Sequence, residues 1–496
     1  MAKPRILCSI STRDRYDVLA HAIQSVINQS VKPDHLTIFD DGAHTDLREH
    51  PIYKHILPML QVEGITWNVA FGSGMGQHRN HQIANRMGYD YVWRLDDDEI
   101  AKSDVLEKLL SHMKPNVGAV GGSVITLADN EKEVTHLTNK LSDIYHTPNI
   151  QWSKGTGIVE VEHLYSSFLY RAGIVNYPEE LSPVAHREET IFTYSLKQAG
   201  YKLLVDRSAI TYHLRQDTGG IRSHTNAWFY EHDERLFQNK LESWGYKLIT
   251  LETGLGDHLA FLNVLPSLIK KYKHVMVGCC HSHLFKDYDV TVMSVAASKV
   301  GKNENIYKWM IDNNWTRSIV EAYEVYYGVQ AQPINVSPLR RKENMTIVIS
   351  PYSQKLRNSK INAKNYPYWQ KLISLLRLYG HKVIQIGITG EEKLVDDFRI
   401  NLPIVELKRL LTTSDAWISV DNFLPHLAHL VGKPGIVLFG RSDPNIFGYK
   451  ENINLLVDRT YLRPDQFNIW EPIEFDTSVF VEPEVVVDLL KCEQTK

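Results

Sequence analysis

Cysteine is scarce in this chain of 496 residues: Cys8, Cys279, Cys280 and Cys492 are the whole set, with no CxxC pair and no regular ladder. Neither a thiolate zinc knuckle nor a disulfide framework can be assembled from them, and a reducing cytoplasm is the compartment they fit. No apolar run approaches the roughly 18 residues that cross a bilayer. Met1-Ala2-Lys3-Pro4-Arg5 leads straight into the strand-like Ile6-Leu7-Cys8-Ser9-Ile10, which is too short for the apolar core of a signal peptide. Charge of one sign is not in excess either. A formal net charge of −3 gives no chain-wide basic field of the kind that binds nucleic acid, although local basic patches stay open. Fixed-period repeats and low-complexity tracts are absent.

What is present is globular in composition and too long for one core, so two to four domains are expected. The first half alternates strand and helix: Arg5 to Ser11, Tyr16 to Gln29, Leu36 to Asp41, Gly76 to Met87, Tyr91 to Asp96. In the first helix Leu19, Ala22, Ile23, Val26 and Ile27 fall on one face, as packing against a sheet requires. This alternation predicts a mainly parallel α/β sheet, whose ligands gather beyond the carboxyl ends of the strands. A second α/β series starts near Tyr246, and Gly328 to Asn344 reads as a connector between two lobes. The expected plan is a domain over 1–240 and two smaller lobes over 246–335 and 340–496.

The strand Tyr91-Val92-Trp93-Arg94-Leu95 ends in Asp96-Asp97-Asp98-Glu99. If extended geometry persists, Asp96 and Asp98 share a face and Asp97 opposes them. Neighbouring carboxylates about 5 Å apart repel by roughly 3 kcal/mol at an effective dielectric of 20, a cost that a hard divalent cation removes. Read alone, the run is also compatible with a solvated acidic turn.

Four pieces stand in order: Ser11-Thr12-Arg13-Asp14-Arg15 after the first strand, Asp40-Asp41-Gly42 after the second, the turn and helix Gly72 to Asn80, and the acids. With Ser25-Val26-Ile27-Asn28-Gln29-Ser30 in the first helix, residues 4 to 215 resemble glycosyltransferase family 2, the inverting enzymes of the GT-A fold. The resemblance implies a Rossmann-like nucleotide-sugar domain with Mn²⁺ or Mg²⁺ as cofactor. It further implies that Thr12, Asp40 and Asp41 hold base and ribose, that Arg79 contacts the donor, and that Asp96 and Asp98 hold ribose and the metal-bound diphosphate. Glu189, in Ala185-His186-Arg187-Glu188-Glu189-Thr190, matches the general base, although that family usually has Asp there. Glu188 and Glu189 also suit a helix N-terminus through its dipole alone. His213 matches a further metal ligand, and Arg222, after Gly219-Gly220, is placed as a charge clamp on a closing loop.

In the second half, Gly254-Leu255-Gly256-Asp257-His258 lacks the Lys-Ser/Thr of a P-loop and the spacing of a dinucleotide fingerprint. Together with Lys364-Asn365-Tyr366-Pro367-Tyr368-Trp369 and Ser419 to His429 it resembles glycosyltransferase family 9, heptosyltransferase-like enzymes of the GT-B fold. That implies a pair of Rossmann-like lobes, with Asp257 as base and Lys364, Asp421 and His426 in the donor pocket. Asn422 and Phe423 depart from that family's usual Thr and Gly, so a noncatalytic, acceptor-binding or scaffolding module is the alternative. The expected partners are a nucleoside-diphosphate sugar and a cell-surface glycan or glycolipid acceptor, reached at the inner membrane face through segments such as Arg340-Arg341-Lys342. Hydroxymethylated cytosine in DNA is the alternative acceptor.

Overall fold

The structure is a computed structural model that describes residues 3–42, 46–72, 74–126, 139–145, 149–216, 219–220, 227–298, 306–339 and 341–491. The chain divides into two compact units: Met1–Leu248 with Ala296–Asn303, and Ile249–Val295 with Glu304–Lys496.

The first unit is built on nine strands: β1 (Ile6–Thr12), β2 (His35–Asp40), β3 (Thr66–Phe71), β4 (Tyr91–Asp96), β5 (Glu99–Ala101), β6 (Val117–Thr126), β7 (Ile158–Val161), β8 (Phe168–Arg171) and β9 (Lys202–His213). Their order is β3-β2-β1-β4-β8-β6-β9-β5, with β7 on β9. The pairs β1–β2, β2–β3 and β1–β4 are parallel, whereas β8 runs antiparallel to both β4 and β6. Alternation along β1 sorts its side chains onto two cores. Ile6, Cys8 and Ile10 join Leu19, Ala22, Ile23 and Val26 of the helix Tyr16–Ile27, while Leu7 packs with Val92, Phe168, Tyr170 and Phe192.

The register carries the functional consequence. Thr12 lies opposite Asp40 and Ser11 opposite Asp96, so the carboxyl ends of β1, β2 and β4 finish level. Chain order turns from 3-2-1 to 4 between β1 and β4, the crevice where open α/β sheets bind ligands. Strands β3, β5, β6, β7 and β8 and the helices Tyr53–Val62 and Val105–Ser111 carried weaker sequence signals. β6 is buried throughout yet holds Gly118, Gly121 and Gly122, residues that depress strand propensity. Packing explains Gly122: a Cβ there would stand 2.2 Å from the Ala209 carbonyl oxygen.

β10 (Tyr246–Leu251), which enters the second unit at Ile249, forms a three-stranded sheet with β11 (His274–Cys279) and β12 (Thr291–Met293). A six-stranded parallel sheet follows, ordered β15-β14-β13-β16-β17-β18. Its strands are β13 (Thr346–Ser350), β14 (Lys382–Gly387), β15 (Phe398–Ile400), β16 (Ala416–Val420), β17 (Ile436–Leu438) and β18 (Ile453–Leu455). One apolar cluster takes Ile249 and Val275 from the smaller sheet and Val348, Trp417 and Val437 from the larger, so the two sheets share a core. Among the described residues, no helix is long and apolar enough to cross a membrane.

Candidate active site

β4 ends at Asp96, and Asp97-Asp98 form the turn into β5, so the extended alternation expected from sequence stops one residue into the acidic run. The turn changes what Asp97 does. It is buried, accepts from the Thr12 hydroxyl at 2.8 Å and pairs with Arg15 at 3.2 Å. Burial, then the charge of Asp98, push its carboxyl up to about 7. Asp98 pairs with the same Arg15 at 3.2 Å and with His213 at 3.3 Å, and accepts from the Gln216 amide. Burial works against the ionised Asp98, but the hydrogen bond and charge of His213 and the charge of Arg15 hold it below its ordinary value. His213 answers in the opposite sense: against burial, the Asp98 hydrogen bond and the charges of Glu99, Asp98 and Asp96 push it up to about 9.

Asp96 has a different cation beside it. Arg94, two residues earlier on the same face of β4, has no exposed side-chain surface and sits 3.4 Å from Asp96, 2.5 Å from Glu188 and 3.2 Å from Glu189. Glu188 and Glu189 open the helix Glu188–Gln198, whose N-cap Arg187 has left-handed backbone (φ 68°). Gln77 donates to Glu188 at 3.1 Å. Burial raises the Glu188 carboxyl although Arg94 lies against it. The helix dipole is therefore one partner of these acids and the guanidinium is another.

At the end of β2, Asp40 accepts from Tyr16 at 3.0 Å and from the Gly42 amide, and Asp41 accepts from Asn80 at 3.1 Å. Burial raises both carboxyls. Arg79 donates to the carboxylate and the carbonyl of Glu179, at 2.9 and 2.6 Å. Arg222 lies outside the described residues. Five residues other than glycine hold left-handed backbone around this edge: Asp14, Ser166, Ala185, Arg187 and Arg215. Each costs of order 1 kcal/mol, and such strain concentrates where side chains are held for function.

Carboxylates with one imidazole are donors suited to Mn²⁺ or Mg²⁺, and Asp96, Asp98 and His213 meet that description. Burial first, and then the charges of Asp98 and Asp96, raise the carboxyls of Asp97 and Glu99 beside them, so the edge gathers four acids that a divalent cation would help to neutralise. Among the described residues no group of three or more His, Cys, Asp or Glu is already arranged to hold an ion; Asp98 is engaged by Arg15 and His213 instead.

In the second unit Lys364 and Asp421 form an ion pair at 2.7 Å, with Lys364 4.7 Å from the Trp470 ring centroid and Arg463 3.7 Å from the same ring. Asp421 is held below its ordinary value, the charge and hydrogen bond of Lys364 prevailing over burial. His426 is buried, contacts Tyr449 at 2.8 Å, and is pushed down to about 4 by that burial. Asn422 caps the helix Phe423–Leu430 through the Leu424 amide and donates to Ser350 and Tyr352. Asp257 caps the helix Leu255–Phe261 by accepting from the Gly254 amide at 2.9 Å, and its other oxygen accepts from the Tyr307 hydroxyl. A Cβ on Gly256 would stand 3.0 Å from the His426 ring, so Asp257 and His426 are brought near one another.

Residues 8–168 match the model described as "Glycosyl transferase family 2". The matched segment lies in the first third or so of the chain. Over 113 residues the chain is 30% identical to galactofuranosyltransferase GlfT1 of Mycolicibacterium smegmatis (strain ATCC 700084 / mc(2)155), a stretch covering 22% of this chain and 36% of that protein. The chain thus spans about a third of the length of that curated relative. Similar solved structures include GalNAc-T7 with UDP, GalNAc and Mn²⁺, at 12% identity over 49% of each chain and a TM-score of 0.38. S. aureus TarS is similar at 14% identity over 54% of this chain and 49% of that one, with a TM-score of 0.33.

Thr12, Asp40, Asp41, Arg79, Asp96 and Asp98 all fall inside the family 2 segment, whereas Glu189 and His213 lie beyond it and reach the same edge through β9 and the Glu188–Gln198 helix. Arg94, Arg15, Tyr16 and Asn80 escaped sequence reading. Arg94 alone had a signal, a lone arginine inside an otherwise apolar strand and two residues from an acid.

Proposed function

We propose that the first unit transfers a glycosyl group, with inversion, from a nucleoside-diphosphate sugar to a hydroxyl of a cell-surface glycan. The observation that carries this reading is the contact of Arg94 with both Asp96 and Glu189, which sets a carboxylate of the acidic run and a second carboxylate side by side at the β1–β4 crevice. Glu189 takes the acceptor proton as the oxygen attacks the anomeric carbon, and the bond to the diphosphate breaks on the opposite face. Thr12, Asp40 and Asp41 line the crevice where base and ribose would lie, and Arg79 and Arg222 are proposed donor contacts. Asp98 and His213, with Asp96, would hold Mn²⁺ or Mg²⁺, which when bound neutralises charge on the departing diphosphate.

For the second unit, binding of acceptor is better supported than a second transfer. The engagement of both Asp257 oxygens, by the Gly254 amide and the Tyr307 hydroxyl, favours a capping role over that of a base. Lys364, Asp421 and His426 are then proposed to line a binding pocket. A thermal-shift screen of UDP-, GDP-, ADP- and dTDP-sugars with and without Mn²⁺ tests the main reading, since a ligand of the native state raises the melting temperature. No shift with any of them, together with no release of nucleotide, sinks it. Tight DNA binding that falls steeply with salt would move the acceptor from glycan to DNA.

A further inference from the structure

Arg94 is among the largest side chains with no exposed surface in the molecule, and aromatic rings lie on one side of it. Its guanidinium lies 5.6 Å from the Phe168 ring centroid, beside an aromatic group in which Tyr177 stacks on Phe192 at 3.9 Å and Tyr170 meets Phe192 edge-on at 4.8 Å. An arginine placed there is costly unless its donors are taken, and leaving it unpaired would cost several kcal/mol. Its partners are three carboxylates from two places in the sequence: Asp96 at the end of β4, and Glu188 and Glu189 at the start of a helix more than ninety residues later. Gln77 ties Glu188 to a third element. Removing the cation alone would strand the fully buried Glu188 carboxylate, so the pairing itself is what the position supplies.

We propose that Arg94 is the positioning residue of the transfer site: it fixes the Glu189 carboxylate relative to Asp96, so that base and donor acid are referenced to one rigid, planar group. This deepens the family 2 reading and rests on it. The fork geometry matters. Nη2 donates to Glu189 and Asp96 while Nη1 stands against Glu188 as an ion pair, a span across three acids that a single lysine ammonium cannot cover. Arg94 touches no reacting atom and acts through Glu189.

The test is a double-mutant cycle on the full chain, with Mn²⁺-dependent release of nucleotide from the nucleotide-sugar panel as the turnover assay and UDP–Mn²⁺ binding as the second readout. Arg94→Lys, which keeps the charge so that the fold survives, is expected to lower turnover about 100-fold, the scale of a misplacement near 1 Å. UDP–Mn²⁺ affinity should change less than threefold. In a Glu189→Gln background the same substitution should cost less than threefold further, because the group it positions is already disabled. Full 100-fold loss in that background, turnover within threefold of wild type in Arg94→Lys, or a loss of UDP affinity as large as the loss of turnover overturns the assignment of Arg94 alone. A wild-type protein that releases nucleotide from none of the sugars overturns the family 2 reading and this proposal with it.

Discussion

Replacing Asp98 by Asn tests the electrostatics of the acidic turn directly. The Asp98 side chain is 4% exposed and lies 3.3 Å from the His213 ring nitrogen and 3.2 Å from Arg15. At an effective dielectric of 20 each attraction is about 5 kcal/mol before desolvation is subtracted. The rise of His213 from its ordinary 6.5 to about 9 corresponds to about 3 kcal/mol, of which Asp98 supplies a part and the charges of Glu99 and Asp96 the rest. Because the folded-state value of His213 is raised, its contribution is fully present below about pH 6.5 and is lost as pH climbs through about 9. Urea unfolding in EDTA should therefore show Asp98→Asn destabilising the protein by about 1–2 kcal/mol more at pH 6 than at pH 9.5. NMR titration should find His213 at least one pH unit lower in the variant. Mn²⁺-dependent turnover should fall 100-fold or more, the scale expected when a metal ligand is lost. Wild-type turnover, or an unmoved His213 titration, would refute the reasoning.

Asp257→Asn and Tyr307→Phe should each cost about 0.5–2 kcal/mol in thermal melts, the range for a lost helix cap, while leaving every product of the intact protein in place; disappearance of a product step would restore Asp257 as a base. Burial holds His426 neutral down to about 4, so the unfolded chain takes up a proton first and stability contributed here falls as pH drops from about 6.5. Urea midpoints at pH 7 and pH 4.5 should lie closer together in His426→Gln than in wild type, and an unchanged gap would contradict the assignment. Gly122→Ala should destabilise the first unit by about 1–3 kcal/mol or more, since the Ala209 carbonyl oxygen stands 2.2 Å from the new methyl; a neutral substitution in calorimetry would show that β6 can shift.

The sequence by itself determined the elements with strong periodicity or punctuation. Leu19, Ala22, Ile23, Val26 and Ile27 mark a helix face because 3.6-residue spacing is a local property, and the abrupt end of an apolar strand in acids marks a loop at the sheet's carboxyl edge. Asp40, Asp41 and Asp96 belong to one edge on the sequence pattern alone, since parallel βα units bring strand ends together. Only the tertiary structure decided which acids face which cations. The turn at Asp97-Asp98 brought Asp97 to Thr12 and Arg15, a change of direction that alternation along a strand does not encode. Arg94 reached Glu189 across 95 positions because two distant elements pack on one face of the sheet, and Asp257 acquired Tyr307 in the same way. Local chemistry is written residue by residue, but a buried charge takes its meaning from partners that only the packed chain supplies.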